Sequence, residues 1–501
     1  MIEADVCVVG SGAGGSVIAG ELAGAGKQVC VLEMGAYSNE ADFDQLELPA
    51  YQRSYLNAGP FPSVDGQITI QAGSGLGGGT VINWTNSLRT HQWVREEWAR
   101  DFGLEGLDGA DYDGHIDAVL ERIGANDECS DLNGPHERLR EACEKLGYDF
   151  RLIVRNADPA TYDPQLAGYM GFGDPSGSKL STQKTYLADA AAKEADFVVN
   201  CRVQRIITEG GRAVGVEGLW IDPAGPAANG TPVPVTVRAP VIVVAGGSIE
   251  SPALLLRSGI GGPAVGRFLR LHPTSAVTGV YPEDQRWWWA PPQAAMSHQF
   301  ADLEDGYGFL IESAQSTTGL YAGATPWISG RDHKEKMLDW NLCAPFINLT
   351  RDRGHGRVEV DAAGNPFVSY PLSDELDIRN FRRGLAELIR LHESAGADRI
   401  VSIGRSAPIW ERGEDLDPFI DAVTTHSLAP REFGIFTAHQ MGSCRMGSDP
   451  ETSVANPLGE LHDTPGVWIG DASAFPTASG VNPMVTIMAL AHRTAGAIAA
   501  A

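Results

Sequence analysis

The chain has 501 residues, 43% hydrophobic and 20% charged, which allows two or three domains and leaves no polar run that reads as disorder. Its net charge of −26 argues against nucleic acid and anionic lipid as partners, since both select a basic surface. No stretch approaches the ~20 uninterrupted apolar residues of a membrane span.

At the N-terminus Met1-Ile2-Glu3-Ala4-Asp5 leads straight into a strand, with neither a basic nor an apolar leader segment, so a cytoplasmic protein is expected. Val6-Cys7-Val8-Val9 is a buried-strand pattern, followed by Gly10-Ser11-Gly12-Ala13-Gly14-Gly15 and a helical run from Ser16 to Ala25. A second strand, Gln28 to Leu32, ends in Glu33. Strand, G-x-G-x-x-G, helix, strand, acid is the dinucleotide-binding βαβ unit. Gly10 permits the tight turn, Gly12 lets backbone approach a pyrophosphate, Gly14 lies in the same turn, and Gly15 allows close helix packing. The helix N-terminus offers free N–H groups to phosphate, and Glu33 can accept from ribose hydroxyls. In a chain with 59 glycines the motif alone is weak; with both strands, the helix and the acid it is specific. FAD and NAD both remain open at this point.

Next come the loop Gly73-Ser74-Gly75-Leu76-Gly77-Gly78-Gly79-Thr80-Val81-Ile82-Asn83-Trp84 and a helix containing Val94, Glu97 and Trp98. The strand Val241 to Ala245 runs into Gly247-Ser248-Ile249-Glu250-Ser251-Pro252 and a helix that closes at Gly259-Ile260-Gly261. In Arg286-Trp287-Trp288-Trp289-Ala290 the three tryptophans either line an apolar pocket or cover a loop or subunit contact. Val358 to Val360 and Phe367 to Tyr370 flank the turn Asp361 to Asn365, which predicts a hairpin. Ile378, Phe381, Leu385, Leu388 and His392 repeat at helical spacing behind a cap at Ser373 or Asp374, a core stripe to which no chemistry is attached. Gly466-Val467-Trp468-Ile469 precedes Gly470-Asp471-Ala472-Ser473. The seven cysteines are scattered without a C-x-x-C pair, so reduced thiols and no metal site are expected.

Taken in order, these segments resemble the glucose–methanol–choline (GMC) oxidoreductases over essentially the whole chain. Gly247 to Gly261 fits the family's second signature, and the loop ending at Asn83 fits its first. Ile82-Asn83-Trp84, Ala438-His439-Gln440-Met441-Gly442-Ser443-Cys444-Arg445 and Gly480-Val481-Asn482-Pro483-Met484 resemble the long-chain alcohol oxidase branch. The stretch Met170 to Asp174 departs from that branch, because cysteines often stand there and this chain has none.

The resemblance implies an α/β fold, with a Rossmann-like FAD-binding domain and an α+β substrate-binding domain built on an antiparallel sheet with helices. Residues 1–110, 181–272 and 436–501 are expected in the first, and 111–180 and 273–435 in the second. It implies FAD held non-covalently, because Ile82 occupies the position where some relatives link the flavin through histidine. Gly77, Gly78, Gly79, Asn83 and Trp84 would lie along the flavin and pyrophosphate, and Val203 would meet the adenine through its backbone. Asp471 and Ala472 would contact the ribityl–phosphate region, and Asn482-Pro483 the pyrimidine edge of the flavin.

Oxidising an alcohol through flavin requires a hydride to leave carbon and a proton to leave oxygen, and histidine suits the second task. Among twelve histidines, His439 stands where the family places its catalytic one, and Asn482 occupies the partner position. His439 is therefore expected as general base and Asn482 as the amide holding the substrate oxygen. Cys444 is read as a packing residue, His272 as closing a strand or turn, and Arg445 as bracing a loop. The function expected is oxidation of a primary, hydrophobic or aromatic alcohol, with oxygen or another carrier reoxidising the flavin. The competing reading is a flavoprotein of the same fold with non-oxidative chemistry, a lyase or photodecarboxylase.

Overall fold

Val6–Val9 is apolar at every position because both of its faces are covered, as a central parallel strand requires. In the computed structural model, which describes residues 1–221, 232–314 and 317–501, it is the middle strand of a five-stranded sheet. The order is Val467–Ile469, Val241–Val244, Val6–Val9, Val29–Leu32 and Asp196–Val198, and every pairing is parallel. The helix Ala13–Gly24 makes the crossover from Val6–Val9 to Val29–Leu32 and packs against the helices Met484–Ala500 and Tyr186–Ala192. It begins three residues before Ser16, because Gly12 already supplies an extended N-cap. Beside this sheet lie the strands Ile2–Glu3, Val233–Arg238, Arg212–Trp220 and Cys201–Glu209.

The second half is organised on a ten-stranded sheet, counted among the described residues. Its centre is the antiparallel pair Thr274–Val280 and Cys343–Thr350, followed outward by Phe309–Ser313 and Ala295–Ser297. The helix Glu375–Ser394, capped by Asp374, covers one face and puts Phe381, Leu385 and Leu388 into a core with Val277, Phe346 and Ile311. Strand periodicity sends the alternate residues Ala276, Thr278, Ile347 and Leu349 to the opposite face, where they line a cavity. One face builds the core and the other builds the site.

The expected hairpin is Arg357–Val360 with Pro366–Ser369. Three short strands depart from the expected division of the chain. Phe61–Pro62 and Thr69–Ile70, within 1–110, and Phe436–Thr437, within 436–501, are strands of the large sheet. Phe436 pairs with both Thr69 and Thr274, contacts that join distant segments and leave no local signature.

The tryptophan run does not line the cavity. Trp287 is buried against Tyr169 and Trp340, with ring centroids 6.0 and 4.6 Å away. Asn133 Nδ2 donates to the Trp287 and Trp289 carbonyls, so the run packs down a loop. All seven cysteines are buried and unbridged. Among the described residues no helix is long and apolar enough to cross a membrane, and no cluster of side chains could hold a metal.

Candidate active site

A cavity of about 1820 Å³ runs between the two sheets, larger than the ~300–1,000 Å³ usual for a single small ligand. One end is made of backbone. Gly10 turns at φ +100°, and a Cβ there would fall 2.3 Å from the Ala245 carbonyl oxygen. Gly14 and Gly15 are closed just as tightly, against Gly470 O and Gly10 O, at 2.0 and 2.1 Å. Gly12 and Gly79 are the opposite: a Cβ on either would meet nothing within 4 Å. Both line the cavity beside the uncapped N-terminus of Ala13–Gly24, whose first turn carries no acid. A cradle of this shape, with free N–H groups and a positive helix end, suits the pyrophosphate of a dinucleotide.

Ser11 ties the two glycine loops together. Its hydroxyl donates to Glu33 Oε2 at 2.7 Å and accepts from Gly77 N at 2.9 Å. Glu33 also accepts from the N–H of Ser11 and of Gly35, and burial still raises its carboxyl above the ordinary value. Asp471 is fixed in the same manner: it accepts from Gly247 N, Ser251 Oγ, and Ser473 N and Oγ, at 2.5–2.8 Å. Lys179, buried beneath the loop, donates from Nζ to the carbonyls of Val81 and Asn83 at 2.8 Å and of Met170 at 2.6 Å. Burial pushes this ammonium down to about 7.

His439 and Asn482 line the same cavity. His439 follows the strand Phe436–Thr437, with its N–H held by Thr437 Oγ1 at 2.9 Å. Burial pushes its imidazole down to about 4, so it is neutral at pH 7. Asn482 precedes the helix Met484–Ala500, and its buried Oδ1 has no partner. Two residues that the sequence reading did not assign to the site join them. His272, expected only to close a turn, places Nδ1 3.2 Å from His439 Nδ1. Its backbone is left-handed at φ +47°, which is uncommon outside glycine and was a structural rather than a sequence signal. Glu312 lies within the strand Phe309–Ser313, fully buried, with Oε2 accepting from Gln293 Nε2 at 2.8 Å. Burial raises it to about 7, against the amides of Asn482 and Gln293, which favour the ionised form. A carboxylate within an apolar strand was the available clue.

Of the residues expected at the cofactor, Gly10, Gly12, Gly14, Glu33, Gly78, Gly79, Asn83, Trp84, Val203, Asp471, Ala472, Asn482 and Pro483 line the cavity. Gly15 and Gly77 stand behind its wall, where they set the backbone course. Asn83 Nδ2 donates to Met484 Sδ at 3.0 Å, which joins the two loops. Cys444 is buried, with its thiol pushed up by burial, and Arg445 donates to the Thr452 carbonyl while stacking on Phe268. Both fit packing roles.

Comparison with known proteins agrees with this architecture. GMC oxidoreductase family models match residues 51–274 and 352–491. The long-chain-alcohol oxidase FAO4A of Arabidopsis thaliana is 33% identical over 98% of this chain and 68% of its own length. FAO1 of the same plant is 31% identical over 99% and 67%, so the chain spans about two thirds of these relatives. In fold it is similar to pyridoxine 4-oxidase from Mesorbium loti, with a TM-score of 0.73, 18% identity and 98% of each chain covered. It is also similar to a formate oxidase, with a TM-score of 0.70 and 16% identity over 100% of this chain and 98% of that one. With FAD as its cofactor, the chain belongs to the GMC oxidoreductase family.

Proposed function

We propose that the protein oxidises a primary, hydrophobic or aromatic alcohol to the aldehyde. The carrying observation is one cavity that joins a pyrophosphate cradle to an apolar arm, with His439 and Asn482 on its wall. Tyr51, Leu56, Ile347, Leu349, Val401 and Ile435 line that arm, and such a wall favours an alkyl or aryl chain over a sugar. The long-chain-alcohol oxidase relatives support the same substrate class.

Gly12, Gly78 and Gly79 would hold the pyrophosphate, Glu33 the ribose, Val203 the adenine side, and Asp471 with Ala472 the ribityl–phosphate region. The loop at Asn83, clamped from below by Lys179, and the backbone at Asn482-Pro483 would flank the flavin. FAD bound there supplies a hydride acceptor for the carbinol carbon. Ile82 offers no nucleophile, which supports non-covalent binding. The helix Met484–Ala500 opens its N-terminus on the same wall and suits a developing negative charge. His439 and Asn482 meet the carbinol oxygen and orient the C–H bond, while the apolar arm excludes water.

The test is the visible spectrum of the holoenzyme, titrated without oxygen against aliphatic, aromatic and sugar alcohols. Bleaching by aliphatic or aromatic primary alcohols is expected, and readmitted air tests oxygen as acceptor. A yellow protein that no alcohol bleaches sinks the proposal in favour of non-oxidative chemistry.

A further inference from the structure

Two arginines outside the cavity are nearly buried, Arg270 at 6% exposure and Arg445 at 8%, and among the described residues neither forms an ion pair. In a chain with 64 acidic and 38 basic side chains, carboxylates were available to pair them. A cation taken out of water without a counter-charge is costly, and a second cation beside it adds repulsion. Packing accounts for where these side chains lie, but it leaves most of their donors unused.

The centre of the cluster is Phe268. Its backbone is left-handed at φ +62°, a strained state for a bulky residue. Arg270 Nη1 donates to its carbonyl at 3.1 Å. The Arg445 guanidinium lies over two rings, 3.4 Å from the centroid of Phe268 and 5.1 Å from that of Phe102. The exposed His355 ring packs against Phe268 from another segment, at 5.0 Å. Burial and the neighbouring Arg270 push the Arg445 guanidinium down to about 10. Burial, Arg270 and Arg445 also lower the His355 imidazole, so the three basic groups feel one another.

Stacking occupies the faces of Arg445 and leaves its edge. Nε donates to the Thr452 carbonyl at 2.6 Å, while Nη1 and Nη2 have no acceptor among the described residues and are open to solvent. Arg270 Nε is buried without a partner, and Nη2, open to solvent, also lacks one among the described residues. The acids whose charge reaches these groups are engaged elsewhere. Asp352 accepts from Leu271 N, His272 N and the Tyr370 hydroxyl, and Asp449 from Glu451 N and Thr452 Oγ1.

We propose that Arg270, Arg445 and His355 form a binding site for a free inorganic oxyanion of the phosphate class. A tetrahedral oxyanion presents several oxygens to guanidinium groups from two segments at once, whereas a carboxylate suits a single fork. Such an ion offsets the repulsion and supplies the missing acceptors. Arg270 also pairs with Met441 through backbone, its N–H donating at 2.8 Å and its carbonyl accepting at 3.0 Å. Occupancy therefore braces the segment that carries His439. The site does not depend on the alcohol-oxidation reading above.

Calorimetry on the FAD-loaded enzyme, with the pyrophosphate cradle filled, should show one inorganic phosphate bound per chain against sodium chloride of equal ionic strength. Arg445→Met, which keeps an unbranched stem between the rings, and Arg270→Met should each weaken that binding about 10–100-fold, the loss of one charge-assisted contact. Should the variants fail to fold, tungstate soaked into wild-type crystals decides: anomalous density is expected within hydrogen-bond reach of both guanidinium groups. No saturable heat, tungstate bound elsewhere or nowhere, or variants that bind phosphate as tightly as wild type overturns the inference.

Discussion

The two ends of the cavity are made of different materials. The nucleotide end is backbone: glycines that admit phosphate, helix N-termini, and acids such as Asp471 that bond to the protein before any ligand arrives. The other end is side chains, with His439, His272, Glu312 and Asn482 arriving from four separate segments and only Glu312 lying within a strand. At Gly10, Gly14 and Gly15 the backbone tolerates almost no substitution, since a Cβ has nowhere to go. Side-chain sites tolerate substitution in fold while losing chemistry. The cavity thus divides into an end shaped by backbone and an end shaped by side chains.

Replacing Gly14 should test the first half most severely. A Cβ there would lie 2.0 Å from a backbone oxygen of the neighbouring strand's end, which cannot move aside, so Gly14→Val is expected to purify colourless, with no flavin absorbance. A yellow Gly14→Val protein would break the comparison. At the other end His439→Ala should keep full FAD occupancy and its spectrum while flavin reduction slows by about 10²–10⁴-fold, the cost of losing a general base. Loss of colour in that variant would show that the two ends are not separable.

Acid should strike the fold through buried histidines. Burial pushes His136 and His392 down to about 3, and His439 to about 4. The unfolded chain takes up protons below about pH 6.5 where the folded chain does not, so stability is lost as pH falls from there toward the folded values. Melting temperature measured from pH 8 to pH 4 should therefore drop below about 6.5, and drop less in His392→Phe, whose ring replaces one already stacked on Phe346. The smallest effect is expected at Trp288→Ala: an unchanged KM for every alcohol, because the residue does not line the cavity. A raised KM there would return the tryptophan run to the substrate.

Most of the nucleotide end was legible because its logic is local. Gly10 to Gly15, Glu33 and the adjoining strands lie within one short βαβ unit, so strand, turn, helix and acid are read together. The helix stripe from Ile378 to His392 and the hairpin at Asp361 to Asn365 were legible for the same reason, since periodicity and turn chemistry act over a few residues. His272, read as closing a strand or turn, stands just before the strand Thr274–Val280, but its ring partners His439 and Gly480 lie far along the chain. Glu312 and Lys179 carried no motif at all, and their meaning comes from burial and from what surrounds them.

By itself the sequence determined the βαβ unit and the family, and singled out His439 and Asn482, which both line the cavity, because glycine spacing and signature words survive in one dimension. Tertiary structure alone decided that Phe61–Pro62, Thr69–Ile70 and Phe436–Thr437 join the large sheet, that the tryptophans pack a loop, that His272 meets the His439 ring and that Glu312 lines the same cavity. The reason is physical: hydrogen-bond partners, tautomers and the desolvation of a carboxylate depend on atoms brought together by folding, and no local pattern of residues encodes them.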